Sequence, residues 1–301
     1  MWLSRKPGCR EHAEGRSRAG GARVSSGVHL SLAAVALTAA AVVSLAPISP
    51  SAPPHAPDAK RGLALLQHFR DSLPRNGGNA LRCTSCHLED GRRGQAMSWI
   101  GVTASFPKYR RRRGSVESIE QRVNECVARS LAGRMLNTDG DAMHDIVAYL
   151  DSLGREPVPA RPDTVLLVGD TVRGKSAFAA TCARCHGANG GGALAPAVYG
   201  TRSYSIGAGL ARQNVLATFL RWNMPQDQPG TLDAQTSADI AAFVLRQPRP
   251  DHPGKEHDWP NGDPPVDVGY ITDGAKAKGI ALPPARPVLR RRVAPIPPSM
   301  Q

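Results

Sequence analysis

A five-residue pattern, in which two cysteines three positions apart are followed at once by a histidine, occurs twice in this chain. The two copies occupy residues 83–87 and 182–186. At this spacing the two thiols can form thioethers with the vinyl groups of a porphyrin while the imidazole ligates the iron. The pattern therefore predicts two covalently attached haem c groups. The attachment residues are Cys83, Cys86, His87, Cys182, Cys185 and His186.

Zinc binding and dithiol redox chemistry are the alternatives for a pair of cysteines at this spacing. A zinc site would have to pool its ligands from both copies, and neither alternative explains why a histidine follows each pair. Haem attachment is therefore the favoured interpretation.

The length of 301 residues suggests about two domains, which would give one domain to each haem. Aromatic residues make up only 5% of the chain, but a haem supplies a large apolar body around which a small helical domain can pack. The predicted fold is all-α, with two tandem domains that resemble class I cytochrome c, each wrapped around one covalent haem.

Apolar residues recur at helical spacing in stretches on both sides of each motif. The predicted helices cover residues 60–69, 119–127, 143–150, 174–180, 215–222 and 238–246. Residues 155–163 are rich in proline and are predicted to be a linker. The predicted domains are therefore residues 57–154 and residues 164–270.

Two further segments lie outside these domains. Residues 1–56 contain a basic stretch followed by the uncharged residues 28–46, which is typical of a cleaved secretory leader or, alternatively, of an uncleaved membrane anchor. Both interpretations predict a periplasmic location, with attachment to the inner membrane if the leader stays uncleaved. The basic, Pro-rich residues 271–301 are predicted to form a disordered tail.

Export makes the remaining cysteines informative, because thiols tend to be oxidised outside the cytoplasm. Of the six cysteines, four are assigned to the haems and Cys9 lies in the leader, which leaves Cys126. An unpaired thiol in an oxidising compartment is a liability unless it is buried, ligated or reactive. Cys126 therefore needs a specific role.

Class I cytochrome c domains place a methionine on the open face of the haem. Met224 is the only methionine between His186 and the last residues, so it is the predicted sixth ligand of the second iron. His252 and His257 are the other candidates for that position, and both are predicted to be solvated loop histidines.

The spacing from the motif histidine to the distal sulfur in the second domain, applied to the first domain, indicates Cys126. Met224 follows His186 by 38 residues and Cys126 follows His87 by 39, whereas the methionines of the first domain come too early or too late. A thiolate lowers the potential of a haem relative to methionine and is also a nucleophile. Cys126 is therefore the predicted distal ligand, with an inert buried thiol as the alternative.

Basic and polar residues flank Cys126. Arg122 lies one helical turn before it and Ser130 one turn after it, so a guanidinium and a hydroxyl share its helix face. The guanidinium of Arg122 would favour the thiolate form and could bind an oxyanion. In the arginine run 110–113, the residues other than Arg112 are predicted to be solvated.

Four segments of the chain resemble those of dihaem thiosulfate dehydrogenases. They are residues 106–114, residues 118–130 with the pattern Arg122-Val123-Asn124-x-Cys126-x-x-Arg129-Ser130, residues 223–225 and residues 247–262. The resemblance spans residues 60–270. It implies a catalytic haem with His87 and Cys126 as iron ligands and an electron-transfer haem with His186 and Met224.

Carried over residue by residue, the resemblance implies that Cys126, Arg112 and Arg122 are catalytic, with Ser130 as a weaker match. The implied reaction couples two thiosulfates to tetrathionate while Cys126 bonds transiently to the outer sulfur of the substrate. The electrons pass to an acceptor such as a small cytochrome c or a high-potential iron-sulfur protein. A tetrathionate reductase and a non-catalytic dihaem electron carrier are the alternatives.

The formal net charge of +13 is consistent with an anionic substrate and an acidic electron acceptor. No nucleic-acid-binding motif accompanies this charge. Contact with a membrane is predicted only through an uncleaved leader.

Overall fold

A computed structural model of the protein describes residues 55–289. This range contains nine α-helices and two short two-stranded sheets, joined by turns and loops. The helices are α1 Ala59–Gln67, α2 Phe69–Ser72, α3 Ile119–Arg129, α4 Asp141–Ser152, α5 Thr171–Ala177, α6 Ala183–His186, α7 Gln213–Asn223, α8 Ala234–Arg246 and α9 Asp273–Ala277. The strands are β1 Lys108–Arg110, β2 Ser115–Glu117, β3 Arg249–Pro250 and β4 Val288–Leu289. β1 pairs with β2 antiparallel, and β3 pairs with β4 parallel.

Five of the helices, α1, α3, α5, α8 and α9, begin at a side chain that accepts a free N–H group of the first turn. Ser118 accepts from the N–H of Gln121, whose side chain in turn accepts from the N–H of Ser118, so α3 starts with a capping box. Asp170 and Asp233 cap α5 and α8 by accepting such N–H groups, without the reciprocal bond. The six helices predicted from periodicity are confirmed, with ends that differ by a few residues.

A pair of crossing helices closes each half of the chain. In the first half Asp145 of α4 accepts from the guanidinium of Arg61 on α1 at 3.0 and 3.1 Å, and from the N–H of Asp58 at 2.7 Å. In the second half Asp239 of α8 accepts from Arg173 on α5 at 2.7 and 3.0 Å. It also accepts from the N–H of Asp170 at 2.7 Å. We call each arginine–aspartate pair a helix clasp.

A glycine permits the close crossing in each clasp. A side chain at Gly62 would overlap the carbonyl oxygen of Asp145, and a side chain at Gly174 would overlap that of Asp239. The two halves are therefore built on the same helix pair, as the internal repeat predicts.

One apolar core runs through both halves. Its most buried members include Phe69 and Ile146 from the first half and Phe178 and Ile240 from the second. Both halves belong to one compact unit, Pro53–Gln301. Contacts between the halves include the amide of Asn223, which donates to the carbonyl oxygen of Gln95 at 2.8 Å.

The segment 271–289 differs from the disordered tail that the sequence predicts. It contains α9, whose N-cap Thr272 is fully buried, and β4, which pairs with β3. The Arg286 guanidinium is largely enclosed and donates to the carbonyl oxygens of Ala211 and Asp267. These contacts are long-range, so the local composition on which the prediction rests does not reveal them.

Two predictions fall outside the described residues: the leader or anchor, apart from its last two positions, and the end of the basic tail after residue 289. Within residues 55–289 no helix combines the length and apolar character needed to cross a bilayer.

Candidate active site

The first cysteine motif forms a tight turn that leaves one histidine nitrogen available. Cys83–Ser85 is a 3-10 turn, and Nδ1 of His87 donates to the carbonyl oxygen of Met97 at 2.6 Å. Burial lowers the pKa of His87 to about 4, so the ring is neutral at pH 7. A neutral imidazole whose Nδ1 is bound to a carbonyl presents Nε2 to a metal.

The second motif has the same arrangement on a different backbone. A π-helical turn, Phe178–Cys182, leads into α6, and Nδ1 of His186 donates to the carbonyl oxygen of Pro196 at 2.6 Å. In both halves the accepting carbonyl lies ten residues after the histidine. Cys182 and Met224, which directly follows α7, both pack against the common core.

These donor sets fit covalent haem. The cysteines of both motifs are free thiols, as thioether formation requires. A zinc site would need several side-chain ligands gathered at one point, and residues 55–289 contain no group of three or more His, Cys, Asp or Glu side chains placed to hold a metal ion.

Cys126 lies on α3, facing the first motif. Burial raises the pKa of the Cys86 thiol to about 12, and the nearby Cys126 adds to that shift. Burial and Cys126 raise the pKa of Cys83 in the same way. The sulfur of Cys126 therefore lies close to the two attachment thiols.

The methionines of the first half are placed elsewhere. Met143 is fully buried within α4, and Met135 is largely exposed. The carbonyl oxygen of Met97 accepts from His87, so Met97 lies beside that histidine. The Cys126 sulfur, by contrast, lies close enough to the attachment thiols to raise the pKa of both.

A cavity of about 400 Å³ opens beside Cys126. It is lined mainly by charged and polar side chains from α3, from the β1–β2 hairpin and from the segment around Trp259. The predicted catalytic residues Cys126, Arg112, Arg122 and Ser130 are all among its lining residues. The structure thus brings together four residues that span 18 positions of sequence.

Arg112 is held in place by three neighbours. Its Nη1 donates to the carbonyl oxygen of Gly207 at 2.8 Å, and its guanidinium lies over the ring of Trp259, 4.5 Å from the centroid. Its Nε is 3.9 Å from Oδ2 of Asp258, too far for a hydrogen bond. Burial lowers the pKa of Arg112, and Asp258, its nearest carboxylate, is shared with Arg129.

Behind Arg112 lies a buried ionic network centred on Arg129. The Arg129 side chain is only 7% exposed and donates to both oxygens of Asp258, at 2.7 and 2.8 Å, and to Glu125 at 2.5 Å. The hydroxyl of Tyr270 donates to Asp258 at 2.5 Å. Two carboxylates therefore neutralise Arg129, which serves to position α3 and the Asp258 segment.

Arg122 differs from the other arginines of the cavity. Arg212 is paired with Asp267 at 2.8 Å, and Arg129 is paired as described above. Arg122 makes no ion pair with any residue from 55 to 289. Arg122 thus supplies positive charge beside Cys126 without an ion-pair partner among these residues, and the carboxylate nearest to Arg112, that of Asp258, is shared with Arg129.

Comparison with known proteins gives a consistent result for both halves. Residues 74–157 match the family model described as "SoxA/TsdA, cytochrome c domain". Residues 169–244 match the model described as "Cytochrome C oxidase, cbb3-type, subunit III". The chain is therefore made of two tandem cytochrome c domains, mostly helical, as predicted.

Full-length relatives decide the family. The chain is 38% identical over 224 residues to a thiosulfate dehydrogenase of Psychrobacter arcticus, covering 69% of this chain and 68% of the relative. It is 36% identical to that of Allochromatium vinosum, covering 63% of this chain and 77% of the relative. This chain belongs to the thiosulfate dehydrogenase family.

A solved structure within the family supports the fold. The thiosulfate dehydrogenase (TsdBA) of Marichromatium purpuratum, in its as-isolated form, superposes with a TM-score of 0.61 at 27% identity. The match covers 65% of this chain and 47% of that one, so this chain spans about half the length of that structure.

The sequence does not predict the contribution of several residues to this site. Asp258 lies 132 positions after Cys126, so only the resemblance of residues 247–262 to the family hinted at its segment. His252, predicted to be solvated, packs against Gly207, and burial lowers its pKa to about 4. His257 is exposed, as predicted, and pairs with Asp273.

The arginine run also differs from its prediction. Arg111 is 68% exposed and pairs with Asp263 at 2.6 Å, as expected for a surface residue. Arg110 is only 34% exposed and lines the cavity, while Arg113 pairs with Glu117 and Glu125. All four arginines contribute to the cavity wall, but they differ in exposure and in carboxylate partner, which a run of identical residues does not disclose.

Proposed function

We propose that this protein is a dihaem thiosulfate dehydrogenase, which joins two thiosulfates into tetrathionate and passes the two electrons to an external acceptor. The observation that carries the proposal is the cavity beside Cys126, where Arg122 has no ion-pair partner among residues 55–289 and Arg112 has only a loose contact with Asp258. Membership of the family supports the same conclusion.

The charge of the cavity fits the substrate. Thiosulfate is a dianion, and two dianions about 4 Å apart in water repel each other by roughly 4 kcal/mol, four times the value for unit charges. Guanidinium groups held at fixed positions in a partly buried cavity can offset this repulsion without reorganising. Arg112, fixed by Gly207 and Trp259, is the better preorganised of the two.

Each haem, when bound, supplies an iron centre that accepts one electron at a time. Cys83, Cys86 and His87 would hold the first haem and Cys182, Cys185 and His186 the second. Cys126 and Met224 are the proposed distal ligands.

Cys126 is the proposed nucleophilic sulfur. Its thiolate and the outer sulfur of the first thiosulfate form an S–S bond with release of two electrons, which gives Cys–S–S–SO3⁻. The outer sulfur of a second thiosulfate then attacks the sulfur that carries the sulfonate, which forms tetrathionate and returns the Cys126 thiolate. Arg112 and Arg122 hold the sulfonate groups, and Ser130 lies at the cavity wall.

The second half is the proposed exit for the electrons. A thioether ligand from Met224 gives a higher potential than a thiolate, so electrons would move from the first half to the second. The hydrogen bond from Asn223 to Gln95 joins the Met224 segment to the segment that supports His87. We place the protein in the periplasm, with a small cytochrome c or a high-potential iron-sulfur protein as its acceptor.

The decisive experiment adds thiosulfate alone to the purified, oxidised holoprotein. We expect the haem absorption bands to shift to those of the reduced form, with one tetrathionate formed for each two electrons taken up. A chemical reductant such as ascorbate provides the control for redox-competent haems. Haems that ascorbate reduces but thiosulfate does not would contradict the proposed function and favour a simple electron carrier.

A further inference from the structure

The coupling reaction needs two anions in one cavity, and the residues named so far supply only two cations that no carboxylate hydrogen-bonds, Arg112 and Arg122. We propose that Arg110 binds the second thiosulfate and that Glu117 is the counter-ion from which the anion displaces it. This inference rests on the proposed function and assigns a substrate-binding residue in addition to Arg112 and Arg122.

Arg110 is a partly exposed residue of the cavity wall. It ends β1, it is half-buried, and it lines the same cavity as Cys126. Burial and the neighbouring Arg122 lower its pKa, while Glu117 and the Cys126 sulfur act in the opposite direction. Arg110 is therefore close enough to both Arg122 and Cys126 to interact with an anion held between them.

The contact between Arg110 and Glu117 is loose. Nε of Arg110 is 3.7 Å from Oε2 of Glu117, which is beyond the range of a hydrogen bond. No described residue forms a hydrogen bond with the Arg110 guanidinium. Its five N–H donors are therefore available for a planar, bidentate contact with an oxyanion.

Glu117 is a buried carboxylate whose hydrogen-bonding capacity is not filled. Its side chain is 4% exposed, and Oε1 is buried without a hydrogen-bond partner. Nε of Arg113 lies 3.4 Å from that oxygen. Burial and the nearby Glu125 raise the pKa of Glu117. In the absence of substrate, the Glu117 carboxylate lies between Arg110 and Arg113 and balances their charge. When substrate is present, Glu117 competes with it for Arg110.

The geometry of the hairpin makes the assignment specific. Arg110 pairs across the sheet with Ser115, and Glu117 pairs with Lys108, so both side chains are fixed by the register of β1 and β2. Arg111, the next residue, also lines the cavity, but its side chain is largely exposed and its Nε donates to Asp263 at 2.6 Å. Arg110 and Arg111 thus carry the same charge at adjacent positions, but only the Arg111 guanidinium is hydrogen-bonded to a carboxylate.

The test compares Arg110→Gln with Arg111→Gln, which remove the same charge one residue apart. In holoprotein whose haem spectra are intact, we expect Arg110→Gln to raise the thiosulfate KM at least tenfold and Arg111→Gln to change it less than twofold. Calorimetric titration with sulfate, an inert dianion, gives a readout independent of turnover. There we expect at least a tenfold loss of affinity in Arg110→Gln alone.

Two further variants cover the case in which Arg110→Gln does not fold. Arg110→Lys keeps the charge but loses the bidentate contact, and we expect it to weaken sulfate binding severalfold. Glu117→Gln removes the competing carboxylate, and we expect it to tighten sulfate binding severalfold. A residue with only a structural role would not give opposite changes in these two variants.

The outcomes separate this inference from the proposed function. If thiosulfate reduces the wild type and Arg110→Gln behaves like Arg111→Gln in both assays, the role of Arg110 is overturned while the proposed function stands. If thiosulfate fails to reduce the wild type but sulfate affinity still depends on Arg110, the proposed function fails and the anion site stands.

Discussion

Cys126 and Met224 are the two residues that make the halves of this protein chemically different. Each lies at nearly the same distance along the chain from its histidine, and each histidine is held by a carbonyl ten residues further on. A thiolate and a thioether differ in charge, in donor strength and in nucleophilicity. In the proposed function, the choice of sulfur assigns one half to substrate chemistry and the other to electron transfer.

Replacing Cys126 by methionine tests the catalytic role. In Cys126→Met the first haem should remain attached through Cys83 and Cys86, and its potential should rise because a thioether replaces a thiolate. Thiosulfate-dependent reduction of ferricyanide should disappear, since a methionine sulfur cannot form and release a bond to the substrate. Substantial activity in this variant would contradict the role of Cys126.

Replacing Met224 tests the second half. Met224→Ala should abolish the near-infrared band expected of a methionine-ligated ferric haem and should slow electron transfer to the external acceptor. Thiosulfate binding in the first half should be unchanged, because Met224 does not line the cavity. A near-infrared band that survives in the variant would rule out Met224 as the ligand.

At the residue scale, the sequence predicts the sulfur and histidine ligands because their spacing is local and is repeated within the chain. It does not predict the partners of Arg129 and Arg112. Asp258, Tyr270 and Trp259 reach the site only through the packing of the second half against α3. The sequence predicts a solvated Arg110, because a run of arginines gives no periodicity from which burial can be inferred.

At the scale of elements, the two helix clasps depend on glycine. Gly174→Ala should lower the free energy of unfolding by about 1–3 kcal/mol, because its methyl group would overlap the backbone of α8 at Asp239. The control is Gly154→Ala, since nothing lies within 4 Å of a side chain there, and its effect should stay within about 0.5 kcal/mol. Equal urea midpoints for the two variants would contradict the close crossing.

The clasps also predict a response to acid. The hydrogen bond from Arg173 lowers the pKa of Asp239 to about 2, against about 3.9 in an unfolded chain. The carboxylate therefore stabilises the fold above about pH 4, and this contribution is lost as the pH falls towards 2. Asp239→Asn should be destabilised at pH 7, and its deficit relative to wild type should shrink between pH 5 and pH 2.

A matched control exists for this pH dependence. Asp227 pairs with Arg184 at 2.8 Å, but both side chains are exposed, so Asp227→Asn should change stability little at any pH. Urea unfolding at several pH values distinguishes the two variants. A deficit in Asp239→Asn that stays constant down to pH 2 would contradict the clasp.

The helices were predictable because their signals lie within each segment: apolar periodicity inside, and a capping residue such as Ser118 or Asp233 at the start. The strands and the ordered segment 271–289 were not. β4 forms only by pairing with β3, which lies 39 positions earlier in the chain, and the partly buried Arg286 donates to the distant carbonyl oxygen of Ala211. Local composition does not indicate such long-range pairings.

At the scale of the whole molecule, the halves are joined by polar contacts as well as by the common core. Asn79 donates to the carbonyl oxygen of Ser203 at 3.0 Å, and the hydroxyl of Ser205 donates to that of Arg129 at 2.6 Å. With Asn223 and Gln95, these bonds connect both haem-binding segments. Unfolding either half would leave buried polar groups of the other without partners.

We therefore expect the two halves to unfold in one cooperative transition. Gly62→Ala, a change confined to the first half, should lower the temperature at which the Met224-dependent near-infrared band of the second half is lost. The shift should equal the one seen by circular dichroism for the whole chain. If that band disappears at the wild-type temperature, the halves unfold independently.

The identical clasps have an evolutionary consequence. Arg61 with Asp145 and Arg173 with Asp239 fix the frame of each half, and the histidine carbonyl contact is also the same in both. Natural selection can therefore vary the distal side of one copy without loss of the scaffold. The β1–β2 hairpin lies in the first copy between Met97 and α3. A catalytic pocket can arise by such an insertion, together with one change of sulfur, while the second copy keeps its ancestral task.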